Sequence, residues 1–267
     1  MTTAAAAAVE ERLLLRHDDD GIVTLTLNRP RQFNALSREL LSELQAALDA
    51  VADDDTARVV IMAGNGRAFC AGHDLREMRA HPDKAFHKAL FEQCSRVMLT
   101  INQLPQPVIA KVHGLATAAG CQLVAACDLA VAADTASFAT SGINVGLFCS
   151  TPAVALSRNL SRKQAFELLF TGDFIDARSA LQQGLINRIV APADLDAEVQ
   201  RLATAIGRKS PLAIRMGKAM FYQQLDMNLA EAYDYASEIM ACNMVSDDAC
   251  EGIDAFIEKR KPQWRGR

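Results

Sequence analysis

Two stretches of small residues stand where the backbone itself can do chemistry. Arg67-Ala68-Phe69-Cys70-Ala71-Gly72-His73-Asp74-Leu75 follows an apolar run that reads as a buried strand, and it leads into a helix. Gly114-Leu115-Ala116-Thr117-Ala118-Ala119-Gly120-Cys121-Gln122 does the same after a second such run. Small side chains at a strand-to-helix turn let a ligand reach the main chain, and the N–H groups at a helix start point outward with partial positive charge. Two turns of this kind can pair as an oxyanion hole, holding an oxygen that gains charge during reaction. The same small residues also permit close packing of helix on sheet, and for either loop taken alone both readings stay open.

The elements that must position these loops follow from periodicity. Val23, Leu25 and Leu27 alternate with Thr24 and Thr26, a half-buried strand over Ile22–Leu27 that Asn28-Arg29-Pro30 ends. Leu40, Leu41, Leu44, Ala47, Leu48 and Val51 recur at helical spacing, with Ser37 as N-cap and Glu39 and Glu43 near the positive end of the dipole. Val59 to Met62, Pro107 to Val112 and Asp128 to Ala132 read as strands, and a short helix runs to Ala126. Alternating strands and helices predict an α/β layer fold with crossover connections. After about residue 150 helices dominate. Ser161 and Gln164 form a capping box ahead of Ala165 to Phe170, Gly172 supplies the stop, and Ser210-Pro211 opens another helix. The sequence carries no internal repeat and no linker.

Composition narrows the classes. The 267 residues are 50% apolar and 22% charged, an ordinary globular balance. With 28 Lys and Arg against 32 Asp and Glu, the net charge is −4, and no basic stripe awaits a nucleic acid. The seven cysteines include no Cys-x-x-Cys pair, so reduced thiols are expected rather than a disulfide framework or a zinc site. The alanine-rich opening, Thr3 to Leu15, carries Glu10 and Glu11 and fits neither a secretory signal nor a transit peptide; its first few residues are expected to fray. Apolar runs fall well short of the ~20 residues of a membrane span. Together these features predict a cytoplasmic protein with no membrane association.

From Leu25-Asn28-Arg29-Pro30 to Phe256-Ile257-Glu258-Lys259-Arg260 the sequence resembles the crotonase (enoyl-CoA hydratase/isomerase) superfamily. The resemblance rests on Phe69-Cys70-Ala71-Gly72-His73-Asp74-Leu75 together with His113-Gly114 through Cys127-Asp128. Within that superfamily, Gly114 to Ala125 and Asn144 to Pro152 are similar to the branch called enoyl-CoA hydratase domain-containing protein 3. The resemblance implies a crotonase (ClpP-like) α/β fold of repeated ββα units, with a core over residues 1–200 and a C-terminal helical region over 201–267 that serves as trimer contact and lid. It implies an acyl-CoA thioester as ligand, coenzyme A entering as part of the substrate, and no metal. A homotrimer or a dimer of trimers is the implied assembly.

Carried over by position, the oxyanion-hole N–H groups would come from His73 and Ala119, where loss of one such donor costs about a hundredfold or more. The His73 imidazole has a gate, an acid or mere packing as its alternatives. Adenine would lie near Ala71 and Leu75, with basic side chains such as Arg31 meeting the phosphates. Phe256 and Lys259 would reach a neighbouring subunit's coenzyme A; core packing and a solvated face are the alternatives. Cys149, Ser150 and Thr151 would line the acyl pocket, Ser150 standing where chlorobenzoyl-CoA dehalogenases carry a nucleophilic Asp.

The sequence departs from the hydratase pattern at both proton-transferring glutamates, which become Gln122 and Gly142. Positioned proton transfer is worth roughly a hundred- to ten-thousandfold per group, so an ordinary hydratase rate is not expected. Candidate substitutes are few. Ser150 lacks a base, Asp74 is expected to bond backbone in its own loop, and Gln122 can hydrogen-bond without titrating. His87 and Cys94, seven apart on one helix face, either approach the pocket from the lid side or serve as packing and partly exposed helix positions. The readings are an acyl-CoA-binding protein of the hydratase/isomerase type, another thioester reaction such as hydrolysis or decarboxylation, or a non-catalytic acyl-CoA sensor.

Overall fold

The computed structural model describes residues 12–267. The expected fraying of the first few residues therefore lies outside the described residues, whereas Leu14 and Leu15 already belong to a strand. That strand, β1 (Leu14–Asp19), turns through Asp20 and Gly21, both at positive φ, into antiparallel β2 (Ile22–Leu27). An Asp-Gly pair suits a two-residue hairpin because its left-handed backbone matches the twist of the strands. Helix α1 (Arg38–Ala52) follows, and the Ser37 side chain accepts from Leu40 N as its cap.

Three units of one design come next. In each, a strand of the large sheet runs on into a short strand of a second sheet, and helical structure follows. The first is β3 (Val59–Gly64) and β4 (Ala68–Cys70) with α2 (Leu75–Ala80) and α3 (Lys84–Gln103). The second is β5 (Val108–Val112) and β6 (Leu115–Thr117) with α4 (Ala119–Ala126). The third is β7 (Leu129–Ala133) and β8 (Ser137–Ala139), then a 3-10 turn over Ser141–Val145 and α5 (Ser150–Leu156). The chain continues through α6 (Arg162–Thr171), β9 (Ile175–Asp176), α7 (Ala177–Gln183), β10 (Arg188–Val190), α8 (Leu195–Gly207), α9 (Pro211–Gln224), α10 (Leu229–Met244) and α11 (Asp247–Ile257). The expected capping box at Ser161 and Gln164 and the stop at Gly172 are both present on α6.

The large sheet has the order β1-β2-β3-β5-β7-β10, parallel throughout except for β1 against β2. Its β3 is buried on both faces, as parallel strands covered by helices must be. Val60 and Met62 point into a core shared with Leu40, Leu44 and Leu48 of α1, while Val59 and Ile61 point the other way against Leu195, Val199 and Leu202 of α8. The period-two alternation of a strand divides these residues between two cores.

The small sheet has the order β4-β6-β8-β9. The expectation of plain loops at Arg67–Leu75 and Gly114–Gln122 is corrected here, since each contains three residues of strand. Runs so short show no alternation in sequence, and their partners are distant: Cys70 pairs with Ala116, and Thr117 with Ala139. Because β4, β6 and β8 are parallel, their carboxyl ends emerge side by side, and so do the three turns that follow. Among the described residues, no helix is long and apolar enough to cross a membrane.

Candidate active site at the carboxyl edge of the small sheet

The turn after β4 is pinned from several sides. Asn34, wholly buried at φ +55, donates from Nδ2 to Asn65 O, Ala68 O and Phe69 O at 2.9, 2.8 and 3.1 Å, while its Oδ1 accepts from Arg29 N. Leu36 N donates to Gly72 O and Asp74 N to Leu36 O. In this parallel bridge the peptide groups on either side of His73 face Leu36, so the His73 N–H faces away from it.

The turn after β6 meets the first turn directly. A Cβ on Gly72, which has φ +90, would lie 2.9 Å from Ala118 Cβ and 3.2 Å from Ala119 N. A Cβ on Gly120 would run into Cys70 O. Ala118 holds φ +51 and ψ −120, a conformation that L residues rarely adopt, and it caps α4 without a side-chain bond. Ala119 is the first residue of α4, where an N–H has no partner within the helix. Among the described residues, neither the His73 N–H nor the Ala119 N–H has a hydrogen-bond acceptor in the loops and caps.

Both residues line one cavity of about 280 Å³. Ala71, His73, Leu75, Met78 and Phe91 line it together with Ala118 and Ala119. Ser141, Gly142, Val145 and Leu147 to Pro152 complete the lining, contributed by the turn after β8 and the start of α5. The surface is mainly apolar, and its titratable members are His73 and Cys149. Burial pushes the His73 imidazole down to about 4, against a smaller opposing pull from the Leu36 backbone. Burial pushes the Cys149 thiol up, partly offset by the Gly142 backbone.

The enoyl-CoA hydratase/isomerase family pattern matches residues 17–267. This chain belongs to the crotonase (enoyl-CoA hydratase/isomerase) family. It is 47% identical over 245 residues to mouse enoyl-CoA hydratase domain-containing protein 3, mitochondrial, covering 92% of this chain and 82% of that protein. A crystal structure of an enoyl-CoA hydratase from Mycobacterium smegmatis superposes with a TM-score of 0.94 at 56% identity, covering 95% of this chain and 99% of that one. The crystal structure of the human domain-containing protein 3 gives 0.93 at 47% identity, covering 95% and 100%. The expectation of a cytoplasmic protein is corrected by these relatives: the mouse, rat, frog, human and zebrafish proteins are all named mitochondrial. Reduced thiols report redox chemistry and do not choose between compartments.

The crotonase fold brings together many of the residues singled out in sequence. Ala71, His73, Leu75, Ala119, Gly142, Cys149, Ser150 and Thr151 share the cavity wall, whereas Arg31, Gln122, Phe256 and Lys259 are not among its lining residues. Gln122 is buried on α4, one turn beyond Ala119, with Oε1 unpartnered. A Cβ on Gly142 would meet Leu147 O at 2.7 Å and Cys149 Sγ at 2.8 Å, so neighbouring atoms fill the place of a side chain. Among the described residues, the hydrogen bond of Ser150 Oγ goes to Phe148 O, at 3.4 Å. Arg31 lies exposed on a 3-10 turn. Phe256 is 84% exposed, which excludes core packing within one chain.

Asp74 caps α2, accepting from Arg76 N and Glu77 N, and pairs with Arg29 at 3.0 Å. Burial would raise its pKa, but the bonds from Arg29 and the helix start outweigh this and hold it low. Cys94 turns into the core, its thiol pushed up to about 12 by burial, and so does not reach the cavity. His87 stacks on Phe91, and it is Phe91 that lines the wall. Sequence reasoning missed Met78 and Phe91, whose helical spacing looks the same whether a face packs on a core or on a cavity. It also missed Asn34, whose position in the Pro30–Ala35 turn is the one local signal of its role.

Proposed function

We propose that this crotonase-family chain binds an acyl-CoA thioester and holds the thioester oxygen between the N–H groups of His73 and Ala119. The observation that supports the reading is the close approach of Gly72 to Ala118 and Ala119, with His73 and Ala119 lining one cavity and neither N–H engaged in the loops and caps. Such preorganised donors favour an oxygen that becomes an oxyanion, in an enolate or a tetrahedral intermediate. Ala71 and Leu75 would face the adenine, and Arg31 would meet phosphates from the exposed 3-10 turn. The exposure of Phe256, with Lys259 beside it, supports a homotrimer or dimer of trimers in which these residues reach a neighbouring site.

A hydratase would need two groups to move protons, and Gln122 and Gly142 supply neither. That favours a second reading, an acyl-CoA-binding or regulatory protein without ordinary hydratase turnover. Hydrolysis through Ser150 has no base to support it. The experiment is crotonyl-CoA hydration, followed by loss of enoyl absorbance, beside calorimetric titration with acetyl-CoA and a longer acyl-CoA. Binding with hydration at least a hundredfold below an ordinary hydratase is the expected result. Failure to bind either thioester would remove the reading.

A further inference from the structure

Proton transfer at this cavity has few candidates. Among the described residues lining it, His73 and Cys149 are the titratable ones, and no carboxylate is present. The imidazole stays neutral and is a weak base, since burial holds it near 4. Cys149 is placed differently. Its Sγ lies 2.8 Å from where a Gly142 side chain would begin, it lines the same cavity as His73 and Ala119, and the residue is only 7% exposed.

We infer that Cys149 is the proton donor and acceptor at the α-carbon of a bound acyl thioester, taking the place left by the missing side chain at Gly142. The inference rests on the thioester reading above. Its chemistry balances without any further reactant. In one direction the Cα–H bond breaks, the proton passes to the Cys149 thiolate, and the electron pair enters an enolate whose oxygen sits between the two N–H groups. In the other, the S–H bond breaks, Cα–H reforms, and sulfur returns to the thiolate. A thiol that burial keeps protonated suits the second direction, because an enolate carbon is a far stronger base than a thiolate.

The groups around Cys149 do not compete for this role. Cys121 of α4 is wholly buried, its thiol pushed up to about 12 by burial and by Cys149. On α6, Arg162, Lys163 and Glu167 are exposed, as is Arg158 after α5. α5 itself carries no titratable side chain.

The test is deuterium uptake at the α-carbon of butyryl-CoA in D2O, read by mass spectrometry at saturating ligand, so that weaker binding does not enter the rate. The full-length protein should exchange, with a rate that climbs about tenfold per pH unit from about pH 6 to about pH 8 as the thiolate forms. Cys149→Ser and Cys149→Ala should each slow exchange by a hundredfold or more. Exchange at the full rate in Cys149→Ala, or exchange lost in His73→Phe and kept in Cys149→Ala, overturns the inference. Calorimetry separates the two levels: binding without exchange removes the role of Cys149 alone, and absence of binding removes the thioester reading as well.

Discussion

Lys218 of α9 and Asp128, just before β7, form a buried ion pair of 2.6 Å, their side chains 7% and 15% exposed. The ammonium also donates to Ile101 O at 2.8 Å and Gln106 O at 3.0 Å, closing the end of α3. Asp128 in turn accepts from Tyr222 OH and Val108 N. Burial pushes the Lys218 ammonium below the ordinary lysine range, against the pull of Asp128. One residue thereby ties the C-terminal helices to the sheet and to α3.

Lys218→Met should therefore be strongly destabilising, by roughly 3–5 kcal/mol, because it strands a buried carboxylate. Adding Asp128→Asn should recover part of that loss, since the remaining acceptor carries no charge. Urea unfolding of both variants measures the difference, and a double variant less stable than the single one would contradict the argument.

The pH dependence of stability should carry the mark of His73. Its imidazole is lowered in the folded state to about 4 from an ordinary 6.5. Between these values the unfolded chain takes up a proton that the folded one refuses, so stability is full above about pH 6.5 and falls as pH drops toward 4. The loss amounts to roughly 3 kcal/mol at the low end. His73→Phe should flatten this window while leaving the backbone N–H in place. Denaturation midpoints across the window decide it.

Ala118 stores strain that the neighbouring turn enforces. Conformations of this class cost about 1–3 kcal/mol for a side chain, more than the ~0.4–1 kcal/mol of extra unfolded-state entropy that glycine brings. Ala118→Gly should raise stability by about 1 kcal/mol. Gly72→Ala should lower it and weaken acyl-CoA binding, because its Cβ would press on Ala118 and Ala119 at positive φ. Thermal unfolding and calorimetry on the pair give opposite signs if the two turns lean on each other.

Placing glutamates at the two positions proposed to correspond to those of a hydratase should not bring hydration. Gly142→Glu forces Leu147 O and Cys149 Sγ to move, at a cost of about 1–3 kcal/mol for overpacking. We expect Gln122→Glu with Gly142→Glu to be destabilised and still slow on crotonyl-CoA. Adding Cys149→Gly should recover stability, because it clears one of the two obstructing atoms.

Much of the scaffold was legible because its signals are local. Ser37, the capping box of Ser161 with Gln164, and the stop at Gly172 act within one turn of helix, so sequence spacing carries them in full. The Asp20-Gly21 hairpin was equally local, and reading the strand from Ile22 onward passed over its partner β1. The strands β4, β6 and β8 were not legible, since three residues cannot display alternation and their pairing joins positions far apart in the chain. Of the site, the small-residue turns announced themselves, while the cavity walls at Met78, Phe91, Val145, Leu147 and Phe148 did not.

The sequence by itself determined which backbone could approach a ligand: the small residues at Gly72 and Ala118–Gly120, and the absence of a carboxylate at Gln122 and Gly142. Residue type alone settles such matters, because the lack of a Cβ or of an ionisable group holds in any fold. Only the tertiary structure decided that Gly72 abuts Ala118, that the Cys149 thiol fills the space beside Gly142, and that Cys94 points into the core. Those outcomes depend on parallel β4, β6 and β8 bringing three turns to one edge, and pairings between residues so far apart leave no periodicity in the chain that forms them.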